Sequence, residues 1–568
     1  MTNTATDQLR QLLNDEWEYR LKEDPLFATD VGDHRYDDRL PAVTEADYQR
    51  RLDQARNFLD RSGEIDRAQL SRSDQLNLDI FRRVKLDDVA ELEYRSYLMP
   101  IDRMGGFHTN FAELPNFLAL ESARDYENYI ARLRGFKEYM TQYIELMRVG
   151  IRSGYMPPAV ALNSVADSIQ PHLIEDAARS LLFAPFNKFP DNIHAAQQKD
   201  FTDRARKAIE TSVTPAYRSL MQFVTEEYLP AARSDIAASS LPNGKAFYEH
   251  RVRLFTSLNL TPQQVHDTGL SEVKRIRAEM ETIIKKVEFN GSFKDFVEFL
   301  RTDPRFYVST PDALMKEVSF ILKKMDGELP KLFKTMPRMP YGIRPVPDYA
   351  APSTTTAYYF QPAGDGTRAG FYYVNTYNLK ARPLYELEAL SLHEAVPGHH
   401  LQIALQQELE NIPIFRRFTG FTAFVEGWGL YSERLGLEVG FYQDPYNDFG
   451  RLTYEMWRAC RLVVDTGLHY LGWPRHRAID LMADNTALTL LNISNEVDRY
   501  ISMPGQAVAY KTGELKIREL RSIAERELGA KFDVREFHDV LLRDGAVPLD
   551  VLETIIKSWI EEAKRREK

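Results

Sequence analysis

Apolar residues recur at three- and four-residue steps, with charges between them, over residues 6–23, 44–61, 73–97, 124–151, 200–229 and 262–287. That spacing gathers apolar side chains on one helix face, so the pattern predicts a mainly helical chain. Gly150, Pro157 and Pro242-Asn243-Gly244 are expected to end helices. Thr261 reads as an N-cap and Pro262 as the first helical residue after it, since a hydroxyl can accept from a free amide and proline has none to leave unpaired. Strand patterning is sparse. Thr354 to Phe360 (TTTAYYF) and Phe371 to Thr376 (FYYVNT) are β-branched and aromatic, and the glycine-rich QPAGDGTRAG lies between them. This predicts a hairpin with a long connection.

Composition narrows the classes. The 568 residues suffice for more than one lobe, and a net charge of −10 argues against a nucleic-acid surface. A single cysteine, Cys460, excludes an intrachain disulfide framework and fits a reducing compartment. The first twenty residues have neither an apolar core nor a basic leader, and no stretch approaches the roughly 20 apolar residues that span a bilayer. The expectation is a cytoplasmic protein with no membrane or nucleic-acid partner. The sequence does not give its oligomeric state.

Candidate chemistry concentrates at Ser391 to Gln402, SLHEAVPGHHLQ. It nearly matches H-E-x-x-H, in which two histidines four apart hold zinc on one helix face and the glutamate activates water. Here Pro397 stands where the second histidine should be. Proline kinks a helix, and Gly398 tolerates the backbone shape that a kink requires. If Pro397-Gly398 bulges out as an insertion, His399 returns to the face of His393. On a straight helix His400 would share that face, but about 10 Å along the axis. His399 is the preferred ligand and His400 the alternative, with Glu394 as the base.

A catalytic zinc site needs a third protein ligand. In FTAFVEGWGLYSERL, Glu426 sits among apolar neighbours, where a carboxylate is costly unless bound or paired. It is the expected third ligand, and Gly427 and Gly429 would let another helix approach closely. Glu433, seven residues on, shares its face. Pairing with Arg434 or another surface base is favoured there over orienting a histidine. Arg461, Asp465 and His469 recur every four residues, either as a buried network or with His469 steadying an oxyanion. Near Pro504-Gly505, Tyr510 is a second candidate for that role, while Arg499 and Tyr500 are candidate substrate-binding residues. Spacing does not choose among Arg499, Tyr500 and Tyr510. Two histidines and a carboxylate favour zinc by ligand type.

With these motifs in hand, the chain resembles the bacterial family catalogued as domain of unknown function 885. The resemblance rests on DPLFATDVGDHRYDDRLP, GDGTRAGFYYVNTYN, RPLYELEALSLHEAVPGHHLQ, FVEGWGLYSERLG, RLVVDTGLH, RYISMPGQAVAYKTGE and FHDVLLRDGAVPLDVLE, in that order along nearly the whole chain. It implies a fold similar to the thermolysin-like zinc peptidases that form a cleft. In the family pattern the shared histidine follows P-G, which maps to His399, and the glutamate of F-x-E-G-W maps to Glu426. The expected architecture is mainly α: a two-lobed helical cleft with a small hairpin or sheet beside the metal-binding helix. Residues 1–345 would form the N-terminal helical lobe and 346–568 the catalytic lobe. The expected activity is zinc-dependent hydrolysis of peptides or small amides. The alternatives are another metal-dependent reaction on a modified amino acid or natural product, or a structural metal in a non-catalytic protein.

Overall fold

In a computed structural model of the chain, residues 4–566 are described, apart from 117, 119, 349–350, 352–354, 363–365 and 367. The chain divides into two compact units, Met1–Phe247 and Tyr248–Lys568.

Among its described residues the first unit is mainly helical, with a short antiparallel pair, Ile101–Asp102 with Gly105–Gly106. Its core is built on α1 (Ala123–Ser153). Ser122 and Asp125 start this helix with a reciprocal cap, in which the Asp125 carboxylate accepts from the Ser122 amide at 2.7 Å. Tyr126, Tyr129, Leu133, Phe136 and Met140 of α1 are buried in one cluster with Phe186, Tyr217 and Leu220. α1 runs through Gly150, an expected stop, and is capped by Gly154 at φ 78°. Gly150 is there for packing instead: a Cβ on it would stand 2.9 Å from the carbonyls of Leu98 and Tyr155.

The second unit carries the candidate site. Its relevant helices and strands are α2 (Pro262–Lys286), β1 (Tyr341–Pro345), β2 (Ala357–Phe360), β3 (Gly370–Val374), α3 (Leu387–Glu394), α4 (His399–Gln407), α5 (Thr422–Leu435), α6 (Pro445–His469), α7 (Leu490–Ser502) and α8 (Ala509–Leu528). α2 starts as its sequence predicts. The Thr261 hydroxyl accepts from the Gln264 amide at 3.2 Å, and Pro262 takes the first helical position. α2 then packs along α6. A Cβ on Gly269 of α2 would stand 2.7 Å from the side chains of Leu462 and Val463. α2 and α6 both lie in the unit that runs from Tyr248 to Lys568.

The predicted hairpin forms. β2 and β3 are antiparallel, with Ala357 opposite Val374 and Phe360 opposite Phe371. Thr354, where the first strand was expected to begin, and part of the connecting loop lie outside the described residues. A third strand, β1, pairs parallel to β3 and makes β3 central. Its sequence, YGIRP, is too short and too broken by glycine and proline to show alternation.

Two interactions join the helices around the site. Lys511 of α8 is fully buried and lies 2.8 Å from Glu455 of α6, 2.8 Å from Glu514 and 3.1 Å from Glu272 of α2. Buried charges of this kind are costly unless each finds a partner, so the cluster fixes three helices in one arrangement. α5 and α8 meet through glycine: a Cβ on Gly427 would stand 2.5 Å from the Gly513 Cα, and one on Gly513 would stand 1.9 Å from the Ala423 carbonyl. Among the described residues, no helix is long and apolar enough to cross a membrane.

The glycine contact predicts the effect of single methyl groups. Gly513→Ala should lower the urea midpoint, with a loss of about 1–3 kcal/mol from overpacking. Gly327→Ala, on an exposed helix position with no atom within 4 Å of the added Cβ, should be stabilising by about 0.5–1 kcal/mol. Equal midpoints for the two variants would contradict this packing.

Candidate metal centre

The site is built where one helix stops and the next begins. α3 ends at Glu394, and the Ala395 amide still bonds the Ser391 carbonyl at 3.0 Å. Val396, Pro397 and Gly398 then turn the chain, and α4 starts at His399. Proline cannot donate to the helical ladder, so the first helix stops. The turn is closed tightly enough that a Cβ on Gly398 would lie 1.8 Å from the His393 carbonyl oxygen. The Trp428 indole of α5 donates to the Pro397 carbonyl at 2.8 Å and holds the turn down. The motif therefore spans two helices rather than a bulge in one.

This turn brings two rings together. The imidazoles of His393 and His399 stand with centroids 4.7 Å apart and planes at 90°. Glu426, on α5, places Oε2 at 3.6 Å from Nε2 of each. One donor atom from each of the three residues lies within 4.8 Å of the others. Ligand atoms around tetrahedral zinc stand roughly 3.3 Å apart, so the set needs little adjustment to hold an ion of that size.

His400 is not in this group. Its Nδ1 accepts from the Tyr359 hydroxyl at 2.8 Å, and its Nε2–H donates to the Met339 carbonyl at 3.0 Å. Burial pushes its pKa down to about 4, so it stays neutral. With both nitrogens engaged, it ties α4 to β2 and to the segment entering β1.

Glu433 has the role that the sequence reading ranked second. It is 1% exposed, and its Oε1 accepts from His393 Nδ1 at 2.8 Å. That bond sets the imidazole tautomer and leaves Nε2 directed at the ligand cluster. Its seven-residue spacing from Glu426 was the available signal. Between the two, Gly429 leaves room for the ring: a Cβ there would stand 2.7 Å from His393 Cε1. Of the two glycines expected to admit a helix, Gly427 does so and Gly429 admits an imidazole.

Electrostatics favour a cation here. For His393, burial disfavours the charged ring, but bonds to Glu426 and Glu433 outweigh it and raise the pKa to about 9. For Glu426, burial opposes ionisation, but His393, His399 and the more distant Arg461 outweigh it and bring the pKa to about 2. His399 is lowered by burial and by the neighbouring His393. Without a metal, a proton on His393 Nε2 answers the Glu426 carboxylate. Glu394 directly follows His393 at the end of α3. Its charge acts on both histidines and on the buried Tyr372 of β3.

The remaining sequence candidates separate. His469 is wholly buried and donates from Nε2 to the Tyr500 carbonyl at 3.0 Å, so it anchors α7 rather than facing the three ligands. Asp465 accepts from the Tyr248 hydroxyl at 2.6 Å and from the Gly505 amide at 3.0 Å. Tyr500 is buried too. Its hydroxyl accepts from Trp457 Nε1 and Arg461 Nε, both at 2.9 Å, and so supports Arg461 instead of offering itself to substrate. Tyr510, at the start of α8, lies with its ring 4.4 Å from the Arg461 guanidinium carbon. Arg499 shares Glu496 with Arg461, at 3.7 Å and 3.0 Å. Arg461 itself was legible only as part of a stripe.

Residues 25–556 match the family described as "Bacterial protein of unknown function (DUF885)". The chain belongs to this family. Two solved structures share the fold of this DUF885 chain. One is from Colwellia psychrerythraea and provisionally named a lipoprotein. It is 27% identical, covers 99% of this chain and 100% of its own, and has a TM-score of 0.92. The other, from Shewanella oneidensis, is provisionally named a lipoprotein of unknown function. It is 18% identical over 97% of this chain and 99% of its own, with a TM-score of 0.75. A third, from Bacillus anthracis str. Ames and provisionally named oligoendopeptidase F, is 11% identical over 91% of this chain and 97% of its own. Its TM-score of 0.26 is too low to support an argument. No curated protein matches the chain.

The ligand geometry predicts about one zinc bound per chain, lost in His399→Ala and kept in His400→Ala by elemental analysis. Glu433→Gln should weaken binding about 10–100-fold while leaving the three ligands in place. Because a proton on His393 must leave as the ion binds, apparent affinity should rise with pH, about tenfold per unit below the His393 pKa. It should level off above pH 9, since that pKa is about 9. Calorimetric titration across pH 7–9 tests the slope, and a flat profile would rule out the displaced proton.

Proposed function

We propose that this DUF885 protein is a zinc-dependent hydrolase of peptides or small amides. The observation that carries the reading is the grouping of His393, His399 and Glu426 with a glutamate, Glu394, directly after the first ligand. Three ligands rather than four leave a coordination position for a reactant, which favours catalysis over a structural metal. His400, the candidate fourth ligand, is engaged elsewhere. The donor set of two imidazole nitrogens and a carboxylate oxygen suits zinc.

When bound, the ion supplies Lewis acidity, polarising a carbonyl and making water more acidic. The chain's own residues do the rest. Glu394 accepts a proton from the attacking water as its oxygen bonds the carbonyl carbon. As the C–N bond breaks, Glu394 returns that proton to the departing nitrogen. Glu433 holds the His393 ring in one tautomer through the 2.8 Å bond. Tyr510 and Arg461, which pack against each other, are the donors that this reading assigns to negative charge on the substrate. Tyr372 of β3 is buried and feels the Glu394 charge. The sequence favours a cytoplasmic setting for this activity. The lipoprotein names of the two relatives suggest a membrane-anchored one, and cell fractionation distinguishes them.

Glu394→Gln is the deciding variant. It should retain zinc and fold normally yet lose about 10²–10⁴-fold in kcat on any amide that the wild type cleaves. Full activity of Glu394→Gln on every such amide would sink the proposed mechanism.

A further inference from the structure

Near the helix crossing that carries Glu426 lies an arginine whose surroundings do not use all of it. Arg461 is 2% exposed. Its Nε donates to the Tyr500 hydroxyl at 2.9 Å and its Nη2 to Glu496 at 3.0 Å. Among the described residues, its Nη1 has no hydrogen-bond partner, and neither has Nε of Arg499. A buried, unanswered N–H of a cation is expensive, so it calls for a partner: an ordered water, an ion or a ligand. Burying the guanidinium among Trp457 and Tyr510, at 4.5 Å and 4.4 Å from the ring centroids, holds it in one orientation.

The fold fixes where this donor lies. Gly427 of α5 packs directly on Gly513 of α8, the Cβ-to-Cα approach being 2.5 Å. Glu426 precedes Gly427, and Tyr510 lies one turn before Gly513, so ligand and tyrosine sit at the same helix crossing. Tyr510 in turn covers Arg461. The charges there do not cancel: Arg461 and Arg499 share one carboxylate, Glu496, while Glu426 is committed to the histidines.

From this geometry we infer that the substrate carries a free carboxylate, gripped by Arg461 and Arg499 next to the metal ligands. The substrate class is then N-acyl amino acids and short peptides cleaved near their C-terminus. This rests on the hydrolase reading for the cleavage and on the arginines alone for the anion. Guanidinium groups suit the task because they present planar, paired donors to a carboxylate. Tyr500 and Glu496 act as positioning residues that aim Arg461.

The test is binding, so that it does not depend on turnover. Zinc-loaded Glu394→Gln is titrated with N-acetyl-leucine and with N-acetyl-leucinamide, which differ only in the charged terminus. The acid should bind at least about 30-fold tighter, as expected for charge-assisted bonds to two arginines. Adding Arg461→Met should remove that preference by weakening the acid alone, with zinc content and thermal unfolding measured alongside. Arg499→Met, on a more exposed side chain, should reduce the preference partially and serves if Arg461→Met does not fold. Equal binding of acid and amide, or no binding of either, overturns the inference. So does a loss in Arg461→Met that falls on both probes alike. Acid preference in a wild type that cleaves no amide would uphold the anion site and defeat the hydrolase reading.

Discussion

The close approach of Gly398 to the His393 carbonyl sets the rest of the site. No side chain larger than hydrogen fits there, because a Cβ would lie 1.8 Å from that oxygen. Pro397 stops one helix, Gly398 lets the chain fold back over its last turn, and His399 opens the next. A continuous helix would have carried His399 to another face. The break instead stands two imidazoles at right angles around a common space.

The price of that space is burial of acidic groups, and α5 is shaped to bear it. Glu426 and Glu433 both reach His393, on opposite nitrogens, while Gly429 between them makes room for the ring. Neither carboxylate would be stable alone in an interior of this kind. Paired with imidazoles, they are arranged so that a positive charge is favoured between them. The same helix reaches α8 through Gly427 and Gly513, and α8 reaches α6 and α2 through buried Lys511. Helix positions and ligand positions are therefore coupled.

Much of the site was legible because its chemistry is local. His393, Glu394 and His399 lie within seven residues, and Glu426 stands out as a carboxylate in apolar company. The hairpin showed in its β-branched and aromatic runs, and the start of α2 showed in Thr261-Pro262. What failed was the sorting of residues by partner. His469, Tyr500 and Glu433 are all polar residues on buried helix faces, and spacing cannot say whether such a face meets a ligand or a backbone carbonyl. Their partners, the Tyr500 carbonyl, Arg461 and His393, come from elements distant in the chain.

The sequence by itself determined the helical class, the family, a disturbance of the helix at Pro397-Gly398 and the residue types able to bind a cation. These follow from periodicity and short-range sterics. Only the tertiary structure decided that His400 turns away to Tyr359 and Met339, that Glu433 orients His393, and that Arg461 lies beside Tyr510 with a donor to spare. It also added β1 to the hairpin and put residues from Tyr248 onward into the unit that carries the site. The reason is physical: each of these depends on which helix faces which, and that is fixed by glycine contacts and buried charges that pair residues far apart in sequence.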